Sequence, residues 1–185
     1  MIKIVGISGS LRSGSYNSAL LRAAQQVLPA DVQLEIGTIR GIPLYDGDIE
    51  ANEGIPASVQ TLKTQFMQAD GVLLVTPEYN NSMPGVLKNA IDWLSRPPAD
   101  SGKVFGGKPV AVIGASPGGF GTILAQAAWL PVLRTLGTRC WFGPKMLVSR
   151  AGQVFDANGE LQDEAVRKQL TTFMQGFADF IQGKG

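Results

Sequence analysis

Two hydrophobic periods alternate along this chain. Apolar runs at residues 2–7, 32–36, 71–75 and 110–114, and a weaker one at 145–148, read as strands. Apolar residues crowd positions 2–7, the first of these runs, as in a strand buried on both faces. Between them, apolar residues return every three or four positions, as on one side of a helix. From about Tyr16, Leu20, Leu21, Ala24, Val27 and Leu28 form one such stripe, and residues 57–68, 85–94, 121–136 and 163–182 carry the others. Pro131 falls inside the fourth stripe and should kink or break it.

Strand and helix alternating five times predict an α/β fold: a doubly wound, five-stranded parallel sheet with helices on both faces, in the order 2-1-3-4-5. The 185 residues read as one domain, residues 1–185, without repeats or low-complexity segments. The longest loop, residues 38–56, holds Pro43, Tyr45, Asp46 and Asp48, and reads as a solvated border to a site rather than a cation site.

Composition narrows the chemistry. The chain has no histidine, which removes Ser-His-Asp and Cys-His catalysis and leaves little from which to build a metal site, so none is expected. Its one cysteine, Cys140, fits a small apolar residue near a strand in a reducing, cytoplasmic setting. A net charge of +1 gives no electrostatic case for nucleic acid or an anionic membrane. No apolar stretch approaches the roughly 18 residues of a membrane span, and no secretory signal is expected. Such a chain has few side chains suited to hard chemistry, and a bound organic cofactor would supply it.

Three loops at strand ends carry the candidate site. GSLRSGSYN, after the first strand, offers hydroxyls, the Arg12 guanidinium and a helix start, a cradle for a phosphate. In it, Asn17 and Ser18 read either as cradle or as helix caps. TPEYNNSMPG, after the third strand, offers Pro77, Tyr79, Asn80 and backbone amides to the edge of a flat heterocycle. ASPGGFG, after the fourth, offers nearly bare backbone around Gly118, Gly119 and Gly121. In the order 2-1-3-4-5 these strands are neighbours, so the loops converge. Phosphate, linker and polar ring together describe a mononucleotide. The dinucleotide GxGxxG and the Walker A sequence are absent, a phosphorelay receiver would need acidic residues where Ser8 and Gly9 stand, and a phosphatase loop would need a cysteine there. Flavin mononucleotide survives these exclusions.

GISGSLRSGSYNSALLRAA, TPEYNNSMPGVLKNAIDWLSR and GASPGGFG resemble the NADPH-dependent FMN reductase family, which includes quinone, chromate and azo-dye reductases. The resemblance covers about residues 1–136 and, weakly, the rest. It implies a flavodoxin-like fold, bound FMN, NADPH or NADH as donor, and a homodimer or homotetramer with the flavin near a subunit interface. Carried over by position, Ser10, Arg12, Ser15, Asn17 and Ser18 would hold the phosphate. Pro77, Glu78, Tyr79 and Asn80 would line the ring, with Ser116, Gly118 and Gly119 on its other edge. The expected activity is two-electron transfer from NAD(P)H through FMN to a quinone, azo dye or chromate in a ping-pong cycle, with no side chain acting as acid or base. The alternatives are an electron carrier of the flavodoxin type, which the charge of +1 disfavours, and a flavin-binding regulatory protein.

Overall fold

In the computed structural model, which describes residues 1–184, the chain runs through six strands and eight helices. The strands are β1 (Ile2–Ser8), β2 (Val32–Gly37), β3 (Gly71–Val75), β4 (Pro109–Ala115), β5 (Arg139–Cys140) and β6 (Leu147–Val148). The helices are α1 (Tyr16–Gln26), α2 (Gly47–Glu53), α3 (Ala57–Gln68), α4 (Gly85–Leu94), α5 (Pro98–Phe105), α6 (Ile123–Thr135), α7 (Ala151–Val154) and α8 (Glu164–Ile181). Every ladder is parallel and the order is β2-β1-β3-β4-β5, the flavodoxin-like arrangement that the alternation predicts.

The period of two along the strands sorts their side chains into two cores. Ile4, Leu73, Val75 and Ile113 face α1 and α8, where Leu20, Leu170, Phe173 and Phe177 meet them. Val5, Ile7, Val72 and Leu74 face the opposite way, toward Leu62 and Phe66 of α3, Leu87 and Trp93 of α4 and Trp129 of α6. All five residues of β3 are buried, as a strand covered on both faces requires. Complete burial of a side chain such as Phe66 or Phe177 contributes roughly 1.5–3 kcal/mol.

The structure corrects three expectations. The fifth position of the sheet is shared by two pieces, β5 beside Pro109 and Val110 and β6 beside Gly114 and Ala115. Only residues 147–148 of the expected strand at 145–148 are extended in the ladder. Between the two pieces the chain leaves the sheet, through Gly143 and Pro144, and Trp141 packs edge-on against Phe173 with ring centroids 4.7 Å apart. Second, α6 starts at Ile123 and runs through Pro131 unbroken to Thr135. Pro131 is exposed, as is Ala127, whose carbonyl loses its helical donor, so that carbonyl lies on the open side of the helix. Third, the loop at 38–56 contains α2, which starts where Asp46 accepts from the N–H of Asp48 at 2.8 Å.

Two buried polar contacts set the frame. Asn17, in the first turn of α1, is 4% exposed, and its amide grips one residue at the end of β4. Its Nδ2 donates to the carbonyl of Ala115 and its Oδ1 accepts from the Ala115 N–H, both at 2.9 Å. Lys63 of α3 is buried as well; its Nζ donates to the Arg96 carbonyl at 2.6 Å and to Asp100 Oδ2 at 2.8 Å, tying α3 to α5. Replacing Asn17 by Ala leaves both main-chain groups of Ala115 without partners. Loss of about 2–4 kcal/mol of stability is expected in chemical denaturation of the flavin-free protein.

Hydrogen bonds from Lys63 and then Lys103 hold the Asp100 carboxyl down at about 2, from an ordinary 3.8. A carboxyl whose folded pKa is depressed adds stability above its unfolded value, and the contribution is lost as pH falls through the folded one. Asp100→Asn should therefore melt below wild type at neutral pH. The gap between the two melting temperatures should close as the pH is lowered from 3.8 toward 2.

Candidate functional site

Loops one, two and three leave the carboxyl ends of β1, β3 and β4, and each first continues a ladder. Gly9 donates to the Val75 carbonyl at 2.8 Å, Thr76 to that of Ile113 at 2.8 Å, and Ser116 to that of Val148 at 2.9 Å. The loops diverge only after these bonds, so their starts are fixed edge to edge. Two glycines allow the close approach. A Cβ on Gly9 would lie 2.9 Å from Pro77 and 2.8 Å from Leu87, and one on Gly114 would lie 2.2 Å from the Thr76 carbonyl oxygen. The convergence expected of the three loops is the convergence found.

Loop one is a cradle of main-chain donors. Among the described residues, no protein acceptor takes the backbone N–H groups from Leu11 to Tyr16. Ser15 is the N-cap of α1: its Oγ accepts from Asn17 at 3.2 Å and Ser18 at 3.3 Å. Asn17 and Ser18, read as caps or cradle, therefore supply capped N–H groups, while the cap oxygen is Ser15's. The Ser18 hydroxyl donates to Ser8 Oγ at 3.1 Å, and the Asn17 amide is engaged by Ala115. Ser10 lies beside the helix start, with its N–H turned to Ser8 Oγ at 3.4 Å, and Arg12 is exposed.

Loop two is a tight hairpin. Tyr79 and Ser82 exchange two hydrogen bonds of 3.0 Å, and Asn80 and Asn81 between them take φ of 50° and 60°. Asparagine tolerates that left-handed geometry, and two such residues make the turn that suits a hairpin. Tyr79 and Asn80 are exposed at the tip and Pro77 is buried at the base. Glu78 does something the sequence does not reveal. Its Oε2 accepts from the N–H groups of Leu124 at 2.8 Å and Ala125 at 3.0 Å, so its carboxylate caps α6 across the cleft. The first turn of α6 is thereby satisfied from within, whereas α1 carries only the neutral Ser15 hydroxyl and α4, at the end of loop two, has no side-chain cap.

Loop three is held from below by the segment after β6. Arg150 donates its N–H to the Gly118 carbonyl at 2.9 Å, and Ala151 donates to that of Ser116 at 3.0 Å. Ser116 Oγ accepts from the Gly118 N–H at 3.1 Å. A Cβ on Gly119 would meet nothing within 4 Å, so this backbone is open to a flat ligand. Arg150 itself has φ of 47°, a left-handed conformation unusual for arginine, and sequence reasoning had no signal for it.

The long loop after β2 is pinned to α4. Tyr45 donates its N–H to Asn89 Oδ1 at 2.8 Å and its hydroxyl to Glu50 at 2.9 Å, and Arg96 Nε donates to the same carboxylate at 2.7 Å. Arg96 holds the Glu50 carboxyl below the usual range, and the hydrogen bond to Glu50 raises the Tyr45 hydroxyl. Two of the loop's acidic residues thus have structural duties, Asp46 as a helix cap and Glu50 as an ion-pair partner.

The whole arrangement has counterparts among known proteins. The profile of the NADPH-dependent FMN reductase family matches residues 2–153. An NAD(P)H-dependent FMN reductase of Pseudomonas aeruginosa is 47% identical over 181 residues, 98% of this chain and 96% of its own length. A 2-hydroxy-1,4-benzoquinone reductase of a Burkholderia species is 42% identical over 99% of this chain and 98% of its own. Likeness therefore extends through the C-terminal third, where the motifs alone match weakly. Among solved structures, the flavoenzyme NAD(P)H:(acceptor) oxidoreductase FerB of Paracoccus denitrificans superposes with a TM-score of 0.88 at 36% identity, covering 100% of both chains. The chain belongs to the NADPH-dependent FMN reductase family.

Proposed function

We propose that the protein is an FMN-bearing oxidoreductase that takes two electrons from NAD(P)H and gives them to a quinone in a ping-pong cycle. The observation that carries this reading is the meeting of a free helix N-terminus, a donor-rich loop and two open ring-facing loops at the ends of β1, β3 and β4. The residues present fit the cofactor: the uncommitted N–H groups from Leu11 to Tyr16 suit a phosphate, and the bare backbone at Gly119 suits a planar ring. Bound FMN supplies the redox chemistry, and the chain supplies position and electrostatics.

Within that reading the candidate residues divide into two groups. Ser10, Arg12 and Ser15, with the main chain of loop one, hold the phosphate. Pro77, Tyr79 and Asn80 border one edge of the ring, and Ser116, Gly118 and Gly119 the other. Asn17, Ser18 and Glu78 act at one remove. Asn17 fixes α1 to Ala115, Ser18 braces Ser8, and Glu78 holds the start of α6 so that loop three presents its N–H groups. Fixed donors of this kind would stabilise negative charge on a bound flavin without reorganising. No acid or base is required of the chain, in keeping with its lack of histidine.

Quinones are the acceptors that the relatives' names favour, and azo dyes and chromate are further candidates of the same class. The protein would work as a homodimer or homotetramer. Phe120, Ile123, Leu124 and Leu130 leave an apolar face exposed along α6, continuous with loop three, and a second copy would cover it.

The purified protein should be yellow and should oxidise NADPH rapidly only when a quinone is added, with parallel lines in double-reciprocal plots. Absence of acceptor-dependent turnover would point to the carrier or regulatory alternatives. Leu130→Glu should shift the mass in sedimentation toward the monomer while the far-ultraviolet circular dichroism stays that of wild type.

A further inference from the structure

The two pieces that share the last sheet position leave a gap between them. Along a parallel strand, the main-chain groups of alternate residues turn to the same neighbour. In β4, the Val110 carbonyl accepts from the Trp141 N–H at 2.9 Å and the Gly114 N–H donates to the Met146 carbonyl at 3.3 Å, so both residues bond toward the last position. Val112 lies between them and turns the same way. A continuous ladder would bring its N–H to the Trp141 carbonyl and the Met146 N–H to its own carbonyl. Neither bond forms, and among the described residues no other protein group takes their place. Gln126 Nε2, on the nearby wall, donates instead to Thr122 Oγ1 and to the Met146 carbonyl, both at 3.1 Å. Every other residue of β4 is buried, and Val112 alone is half-buried.

What opens onto Val112 is a cavity of about 290 Å³. That is just under the roughly 300–1,000 Å³ of small-molecule sites, and enough for a small fused ring. Leu130 and Leu133 of α6 form one wall, and Trp141, Phe142 and Phe173 the other. The aromatic wall is fixed in place. Trp141 packs on Phe173, and a Cβ on Gly143 or Gly176 would lie 2.1 Å or 2.9 Å from the indole. Among the described residues, Lys145 is the one charged residue of the lining, and it is exposed. A main-chain donor and acceptor in so apolar a setting are costly unless something bonds to them. Apolar side chains of a second copy, laid over Ile123 and Leu130, would leave both without partners. A flat ring carrying an N–H next to a C=O would satisfy the two together.

We propose that this gap in the sheet binds an uncharged, planar lactam-type heterocycle, paired with the N–H and carbonyl of Val112 and enclosed by Trp141, Phe142 and Leu133. The site stands whether or not the cleft at the loops holds a flavin. The probe is 2-quinolone, titrated calorimetrically into the protein as purified with its cofactor. The control is N-methyl-2-quinolone, which keeps the ring and the carbonyl and lacks the donor. Cys140, the chain's one thiol, lines the cavity and reports occupancy through its rate of alkylation. 2-Quinolone should bind and slow that alkylation, and the N-methyl compound should bind roughly tenfold more weakly, the effect of one hydrogen bond lost in an apolar site. Ala127→Trp, at an exposed position on the α6 wall, should abolish binding and protection while the circular dichroism stays that of wild type. Absence of binding, equal binding of the two compounds, or binding that Ala127→Trp leaves untouched overturns the proposal. Shielding of Cys140 that grows with protein concentration and ignores the probe would put a second copy in the gap, and overturns it as well.

Discussion

The amide of Asn17 makes a strand end and a helix start into one rigid body. In a doubly wound sheet, the strands stay parallel only as far as their ladders reach, and beyond them each loop is free to wander. By bonding both main-chain groups of Ala115, the last residue of β4, Asn17 ties the end of that strand to the start of α1. Ser15 then caps α1, Ser18 braces Ser8, and the first residue of loop three donates to Val148. The Ser15 and Ser18 contacts presuppose that α1 begins where Asn17 puts it. The clamp is also costly to lose, because an unpaired amide or carbonyl buried there has no water to turn to.

Much of this was legible in the chain, and the rest failed for identifiable reasons. β1, β3 and β4 announce themselves because burial on both faces makes their sequences nearly all apolar. The last sheet position does not, because it is divided into pieces of two residues each, too short for any period, around a detour through Gly143 and Pro144. The helices α2, α5 and α7, at 7, 8 and 4 residues, fall below the length at which a stripe can be read. Within the loops, residue types gave the chemistry but not the division of labour. Asn17 finds its partner 98 positions away and Glu78 finds its own 46 positions away, and no local pattern encodes either pairing. Pro131 misled in the other direction: on the exposed side of α6 a missing N–H does not end the helix.

Three helices follow the three loops, and the chain treats their positive ends differently: α4, which starts at Gly85, has no side-chain cap. A carboxylate of its own, Glu78, occupies the N-terminus of α6, so an anion gains little there. The N-terminus of α1 is met only by the Ser15 hydroxyl, a neutral cap that leaves its field intact, and the donors before it are uncommitted. In the proposed reading, that asymmetry between α1 and α6 favours the charged end of a ligand at loop one and its flat end toward loops two and three. An otherwise near-neutral chain can thus impose direction on its ligand with backbone dipoles and a single internal carboxylate.

The same geometry separates positions fixed by packing from positions free to vary. Loops two and three lie on one side of loop one, with the glycine contacts that no larger residue could replace. The end of β2 lies on the other side, at the edge of the sheet, where Ile36, Thr38 and Arg40 are exposed and bear on neither core. Substitution at an exposed sheet edge seldom costs much stability, whereas substitution at Gly9 or Gly114 collides with neighbouring atoms. The end of β2 can therefore vary in sequence while the starts of loops one and three stay fixed by packing.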